Sequence, residues 1–366
     1  RSSKKIFIGV ENMNQRENVI SLLKRRGYEK APIDFSLCPF LAQEYKKQIG
    51  SELSIADYFE FPWRGVGDLK SCSNDTNQFL KYYDFELKPG TFIDRWGVAH
   101  EPGSEAAKHM TYMRNPLKNA TSLEEIQSYP FPDFLNADNS HQKKQAEEIH
   151  SKGLAAMGNM PCTIWETAWY VRSMEELMMD MMTDDIKAEY LLDRVTDISI
   201  HRAESFARAG VDILFLGDDI GMQRTVMMSE DLYVTWLKPR LAKVINAARA
   251  INRDIVVFYH SCGFVTPFIP HLIDAGIDVL NPVQPECMNF KEIHEQYGDR
   301  LSFHGTIGTQ TTMPFGTPDE VRREVFKNLE IAGDKGGLLA APTHLLEPEV
   351  PWENIMAYVK ACSDFK

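Results

Sequence analysis

The sequence predicts an α/β chain folded as a (β/α)8 TIM barrel with an irregular amino-terminal extension. Six short apolar runs in the carboxy-terminal three-fifths each end in a polar turn. The segments between them are amphipathic at helical spacing, so strands and helices alternate as in a parallel sheet. No glycine-rich dinucleotide fingerprint follows any run, which disfavours an open doubly wound sheet.

The runs are 154–157, 211–216, 255–259, 277–280, 301–303 and 337–341. They lead respectively into Gly158-Asn159-Met160-Pro161-Cys162, Gly217-Asp218-Asp219, His260-Ser261-Cys262-Gly263, Asn281-Pro282-Val283-Gln284, His304-Gly305-Thr306 and Pro342-Thr343-His344. Residues 183–209, 231–251 and 318–332 are the clearest helices. The last opens on Thr317-Pro318-Asp319-Glu320: an N-cap, a proline at the first helical position, then acids suited to the helix dipole. Before about residue 150 prolines and glycines interrupt often, as in Phe61-Pro62-Trp63-Arg64-Gly65. This part is expected to be a layer of short helices and hairpins, holding one or two further strands. Tyr129-Pro130-Phe131-Pro132-Asp133 reads as a rigid, extended connection. The expected organisation is one domain over 1–366, with 1–150 as amino-terminal layer and first barrel elements and 151–366 as main barrel.

Composition removes several classes of function. A net charge of -12, with no basic run beyond Lys24-Arg25-Arg26, argues against nucleic acid as partner. No apolar run approaches the roughly 20 residues of a membrane span. The stretch 6–10 behind the basic start is too short for a signal peptide. The six cysteines, at 38, 72, 162, 262, 287 and 362, form no disulfide framework. A cytoplasmic location is expected, which leaves each thiol free for packing, ligation or nucleophilic chemistry.

In a parallel barrel the strand ends form one rim, where reacting groups gather. His260-Ser261-Cys262 is the sharpest motif there. Residues two apart at a strand end can point to one side, and imidazole and thiolate are both good zinc ligands. His344 would face the same mouth, as a third ligand or as a hydrogen-bond donor to substrate. Glu166, Gln284, Glu286 and His304 are alternatives for a fourth position. Asp218 and Asp219 are candidate catalytic carboxylates, with one expected to cap a helix and the other to face the site. Glu166 and His304 are further catalytic candidates; Asn159, Trp165 and Gln284 are candidate substrate contacts. Cys162 reads as packing, since no nearby histidine would activate it. The methionines at 174, 178, 179, 181 and 182 read as helix core.

Phe258-Tyr259-His260-Ser261-Cys262-Gly263, the segment Ile277-Asp278-Val279-Leu280-Asn281-Pro282-Val283-Gln284-Pro285, Gly217-Asp218-Asp219-Ile220-Gly221, Gly316-Thr317-Pro318-Asp319-Glu320-Val321 and Pro351-Trp352-Glu353-Asn354-Ile355 occur in an order that resembles the uroporphyrinogen decarboxylase-like superfamily. The resemblance is strong over 150–366 and looser before. It implies one of two chemistries. Metal-free decarboxylases of the superfamily bind a tetrapyrrole through arginines in a Met-Arg-Gln-Ala-Gly-Arg type motif; here that region runs Cys38-Pro39-Phe40-Leu41-Ala42-Gln43. The other branch holds corrinoid-dependent methyltransferases, with zinc on His-x-Cys and a later Cys. His260 and Cys262 match the first two of these ligands, and His344 stands at the third. Many relatives carry Trp where this chain has His304 and Asp where it has Gly308.

The resemblance therefore implies a zinc-dependent methyltransferase. A methoxylated aromatic would donate the methyl group (O-demethylation), and the Co(I) corrinoid of a separate partner protein would receive it. Trp63, Trp96 and Trp165 would stack on the substrate ring; a homodimer is one possible assembly, and the sequence leaves the oligomeric state open. A metal-free decarboxylase of porphyrinogens or aromatic acids is the alternative, with Arg64, Arg95 and Arg224 as carboxylate partners. A non-catalytic corrinoid-protein-binding module is a third reading, motivated by the missing third Cys.

Overall fold

The computed structural model describes residues 13–71, 75–103 and 110–365. The basic start, the stretch 6–10, Cys72 and His109 lie outside the described residues. All six apolar runs form strands: β5 Ala155–Met160, β6 Ile213–Gly217, β7 Val256–His260, β8 Val279–Asn281, β9 Ser302–Ile307 and β10 Leu338–Pro342. A seventh, β1 Trp63–Val66, joins them in one curled sheet ordered β1-β5-β6-β7-β8-β9-β10, every neighbouring pair parallel. Near-continuous apolar sequence is what a parallel strand buried on both faces requires.

β1 falls in the stretch read as irregular. Pro62 and Gly65 gave that impression, yet Pro62 only precedes the strand, where its missing N–H costs nothing. Its carbonyl accepts the Ala155 N–H at 2.9 Å. The amino-terminal part also holds an antiparallel sheet of β2 Phe92–Ile93, β3 Ala99–Pro102 and β4 Thr111–Arg114.

Eight-stranded closure is not seen among the described residues. β1 and β10 are the sheet edges, and the chain near them makes only one parallel bridge, Leu37 to Leu346. The Cys38 N–H reaches Leu346 O at 3.0 Å, and the Leu346 N–H reaches Ser36 O at 2.8 Å. Phe35, on the same segment, packs edge-on against Phe59 and Phe61 just ahead of β1. Pro32 and Pro39 bracket the segment and remove ladder donors, which keeps it from forming a full strand.

Helices cover the outer face of the sheet. Ile186–Ala209 starts on the Asp185 cap and ends at Gly210 in the left-handed region. Pro318–Ala332 starts on a capping box in which Thr317 and Glu320 satisfy each other's backbone N–H. On β5, Ala156, Gly158 and Met160 are buried while Met157 is half-buried and Asn159 exposed, so alternation turns Asn159 into the sheet's concavity.

Candidate metal centre

Strand register assembles the centre. Gly217, His260 and Asn281 are direct partners across β6, β7 and β8, so their side chains share one row at the strand ends. A methyl at Gly217 would lie 2.7 Å from His260 Cβ; only glycine lets β6 pass this close to the imidazole. Beyond the strands, Gly263 (φ +85°) admits the Met222 carbonyl to 2.6 Å of where its Cβ would be. The loops after β6 and β7 are thereby drawn together by the Met222–Phe264 bridge.

Asp219, His260 and Cys262 each offer one ligand atom, and the three atoms lie within 4.8 Å of one another. His260 Nε2 is 3.5 Å from Cys262 Sγ and 3.7 Å from Asp219 Oδ1. The Cys262 N–H donates to Asp219 Oδ1 at 2.7 Å, which fixes the carboxylate. Burial, followed by the negative Asp219 and Glu166, pushes the Cys262 thiol up to about 12. A carboxylate, an imidazole and a thiol that converge with no cation among them form a donor set suited to zinc, whose positive charge would offset that repulsion.

Asp219, not among the sequence-predicted ligands, is the third member of this cluster. His344 lines the same mouth, where burial and then the nearby His260 hold its pKa below the usual value. It is not one of the three clustered donors. The mouth opens into a cavity of about 410 Å³ lined by Met222, Gln223, Gln284, Gln310, Leu345 and Glu349 among others. No lysine or arginine is among its lining residues. Gln284 has its Oε1 occupied by the Gly263 N–H at 3.0 Å.

The two adjacent aspartates separate. Asp218 is buried, and its carboxylate accepts the backbone N–H groups of Ile164 at 3.0 Å and Glu166 at 2.9 Å, capping the helix Trp165–Arg172. Asp218 is therefore removed from the catalytic candidates, since the cap uses its oxygens. Burial, then Asp219, raises the Glu166 carboxyl. Its Oε1 accepts from Tyr170 Oη at 2.8 Å and its Oε2 from the Asp219 N–H at 3.0 Å. Glu166 thus braces Asp219 through the Asp219 backbone N–H. Cys162 lies against the same group, 3.6 Å from Tyr170 Oη.

Other sequence candidates fall away from the mouth. Trp165 is 0% exposed, because the first turn of its helix is pressed into the core. Trp63 and Trp96 are also buried, so none of the three is placed to stack on a ligand. His304 is buried and is not among the residues lining the cavity. Its Nε2 meets Asp34 Oδ2 at 2.9 Å and its Nδ1 meets Asn281 Nδ2 at 2.6 Å. Asn281 in turn meets His260 Nδ1 through Oδ1 at 2.6 Å.

Asn281, Asp34 and Tyr170 are the residues that sequence reasoning missed. Asn281 had a signal, since it ends a strand in register with His260. Tyr170 had a weaker one, four residues after Glu166 on one helix face. Asp34 had none.

The family model described as uroporphyrinogen decarboxylase (URO-D) matches residues 118–365, about two thirds of the chain. Curated uroporphyrinogen decarboxylases from three strains of Coxiella burnetii are 20% identical over 175 residues, 48% of this chain and 46% of theirs. The chain thus spans about half the length of these relatives. A solved methyltransferase from Methanosarcina mazei superimposes over 97% of this chain and 99% of its own, with a TM-score of 0.67 and 20% identity. At that identity the likeness is one of fold.

Proposed function

This chain belongs to the uroporphyrinogen decarboxylase family, and on that premise we propose that it is a zinc-dependent methyltransferase. It moves a methyl group from a small donor, a methoxylated aromatic, to the Co(I) corrinoid of a separate cytoplasmic partner protein. The reading includes a closed (β/α)8 barrel forming one domain, with residues 33–38 on the side between β10 and β1. The observation that carries it is the convergence of Asp219, His260 and Cys262 at the strand ends, beside a cavity with no lysine or arginine among its described lining residues.

His260 Nε2, Cys262 Sγ and Asp219 Oδ1 would hold the metal. When bound, zinc supplies Lewis acidity to the heteroatom that gives up its methyl group. The methyl would leave as a formal cation with the bonding pair staying on the donor oxygen, and the partner's Co(I) would supply the electron pair that receives it. Asp219 is held in place from two sides, by the Cys262 N–H and by Glu166. His344, which lines the cavity, can donate a hydrogen bond to the departing oxygen. Asn159, exposed on the concave face, is a candidate contact for the donor.

Metal-free decarboxylation needs cations around the substrate carboxylates. Arg64 is committed to Asp57 and to the carbonyls of Phe61 and Trp63. Arg95 is committed to Asp68. The acidic residues Glu347 and Glu349 line the cavity instead, which favours a neutral methyl ether over a polycarboxylate.

The test combines metal analysis with transfer from methoxyarenes to free Co(I) cobalamin, followed by the change in its visible spectrum. One zinc per chain, lost in Cys262→Ala together with transfer, is the expected result. A metal-free protein active as a decarboxylase would overturn the proposal.

A further inference from the structure

Behind His260 runs a chain of buried polar groups whose direction is set at its far end. Asp34 ends it with a carboxylate, which only accepts hydrogen bonds when ionised. His304 must therefore donate through Nε2–H, at 2.9 Å. The Asn281 amide nitrogen, itself only a donor, lies 2.6 Å from Nδ1, so Nδ1 is the acceptor of this contact and carries the lone pair. The amide is then orientated, because its nitrogen is turned to His304 and its oxygen to His260. Asn281 Oδ1 accepts the His260 Nδ1–H at 2.6 Å. The His260 proton is pinned on Nδ1, and the Nε2 lone pair faces Cys262 and Asp219.

We infer that His304 is a positioning residue that selects the His260 tautomer competent to bind a cation, acting through the orientation of the Asn281 amide, with Asp34 fixing His304 itself. The inference rests on the zinc reading for its consequence but not for its geometry. Each link is placed to be decisive. His304 is 8% and Asn281 6% exposed, so solvent does not readily substitute for a lost partner. The His304 ring is wedged between Trp63 and Phe258, both at 5.8 Å between ring centroids, which prevents it from swinging away.

Without His304 nothing opposes rotation of the Asn281 amide. Its NH2 then turns to His260 Nδ1 as donor, and the imidazole proton moves to Nε2, where it blocks the lone pair aimed at the donor set. Groups that orient a metal-binding imidazole typically change affinity by about 10- to 100-fold, and that is the loss expected here.

The experiment uses full-length, metal-free protein labelled with 15N at histidine. Long-range 1H–15N spectra read the His260 tautomer directly, and Zn2+ affinity is measured in competition with a chromophoric chelator. Wild type is expected to show His260 protonated at Nδ1. His304→Phe, which keeps an aromatic ring between Trp63 and Phe258, is expected to shift it toward Nε2–H and weaken Zn2+ binding about 10- to 100-fold. A purely structural role for His304 would leave the tautomer untouched.

An unchanged tautomer with affinity within about twofold would overturn the inference. A shifted tautomer in a protein that binds no Zn2+ even as wild type would uphold the relay and defeat the zinc reading. If His304→Phe does not fold, Asp34→Asn gives the same two readouts. It frees the His304 proton, so a mixed tautomer at His260 and a smaller affinity loss support the relay, and no change in either overturns it.

Discussion

Zinc uptake by this protein should tighten by about tenfold for each pH unit between roughly pH 7 and 9.5, because one thiol proton must leave as the cation enters. The magnitude follows from where Cys262 sits. Burial, then Asp219 and Glu166, push its thiol up to about 12. Losing the proton at pH 7 therefore costs roughly 7 kcal/mol, five decades at about 1.4 kcal/mol each. A thiol at the ordinary value of 9.0 would need roughly 3 kcal/mol. The sign is fixed: the protonated thiol is the poor ligand, so affinity climbs with pH and keeps climbing until the free protein's own thiol titrates. Competition against a chelator of known proton affinity gives the slope, and calorimetry in buffers of differing ionisation enthalpy counts the released protons. Cys262→Ala should lose both the slope and most of the affinity. Affinity that is flat with pH, or an alanine variant with the same slope, would refute the reasoning.

Asp219→Asn removes both a donor charge and the carboxylate that helps hold the thiol up. Alkylation of Cys262 in the metal-free variant should reach half-maximal rate at a lower pH than in wild type, while zinc affinity falls. Gly217→Ala places a methyl 2.7 Å from His260 Cβ, so displacement of the imidazole should destabilise the fold by about 1–3 kcal/mol and weaken zinc binding, both measurable in one melting series with and without Zn2+. Asp68 neutralises Arg202, which is 4% exposed, at 2.8 Å and Arg95 at 2.7 Å. Asp68→Ala should therefore cost about 3–5 kcal/mol in denaturant unfolding, as it strands a buried guanidinium. Burial pushes the Asp68 carboxyl up, but Arg202 and Arg95 outweigh it and hold it below the usual carboxylate range. The stabilisation from these ion pairs is thus complete at neutral pH and is lost as pH falls through that lowered value, which urea midpoints from about pH 5 down to about pH 2 would show.

The strands were legible where burial on both faces leaves an unbroken apolar run, as in β6 and β7. β1 was not, because Pro62 and Gly65 flank and interrupt a strand whose partner lies some ninety residues on at Ala155. His260 and Cys262 were legible because their spacing is local. That one of Asp218 and Asp219 caps a helix while the other faces the site was legible; which one caps was not, since it depends on which of them the amino end of the helix Trp165–Arg172 reaches. Trp165 looked like a ligand contact for the same reason: a position after a strand says nothing about whether the helix start faces the mouth or the core. His304 was expected at the cavity, but its partners Asp34 and Asn281 draw it inward. The contact with Asp34 joins groups 270 residues apart, beyond the reach of any local pattern.

Asp218 and Asp219 are successive residues, and one holds a helix while the other faces the donor cluster. Their α-carbons are about 3.8 Å apart, so there is no slack between the two tasks. If the amino end of Trp165–Arg172 lifts from the Asp218 carboxylate, Glu166 leaves with it, and the brace on the Asp219 N–H goes too. A partial opening of this helix, well short of global unfolding, would be recorded at the donor cluster. Amide exchange at Ile164 and Glu166 and the rate of zinc release should then share one activation enthalpy. The dipeptide would serve as a strain gauge, with cation residence time reporting how firmly a neighbouring helix is seated.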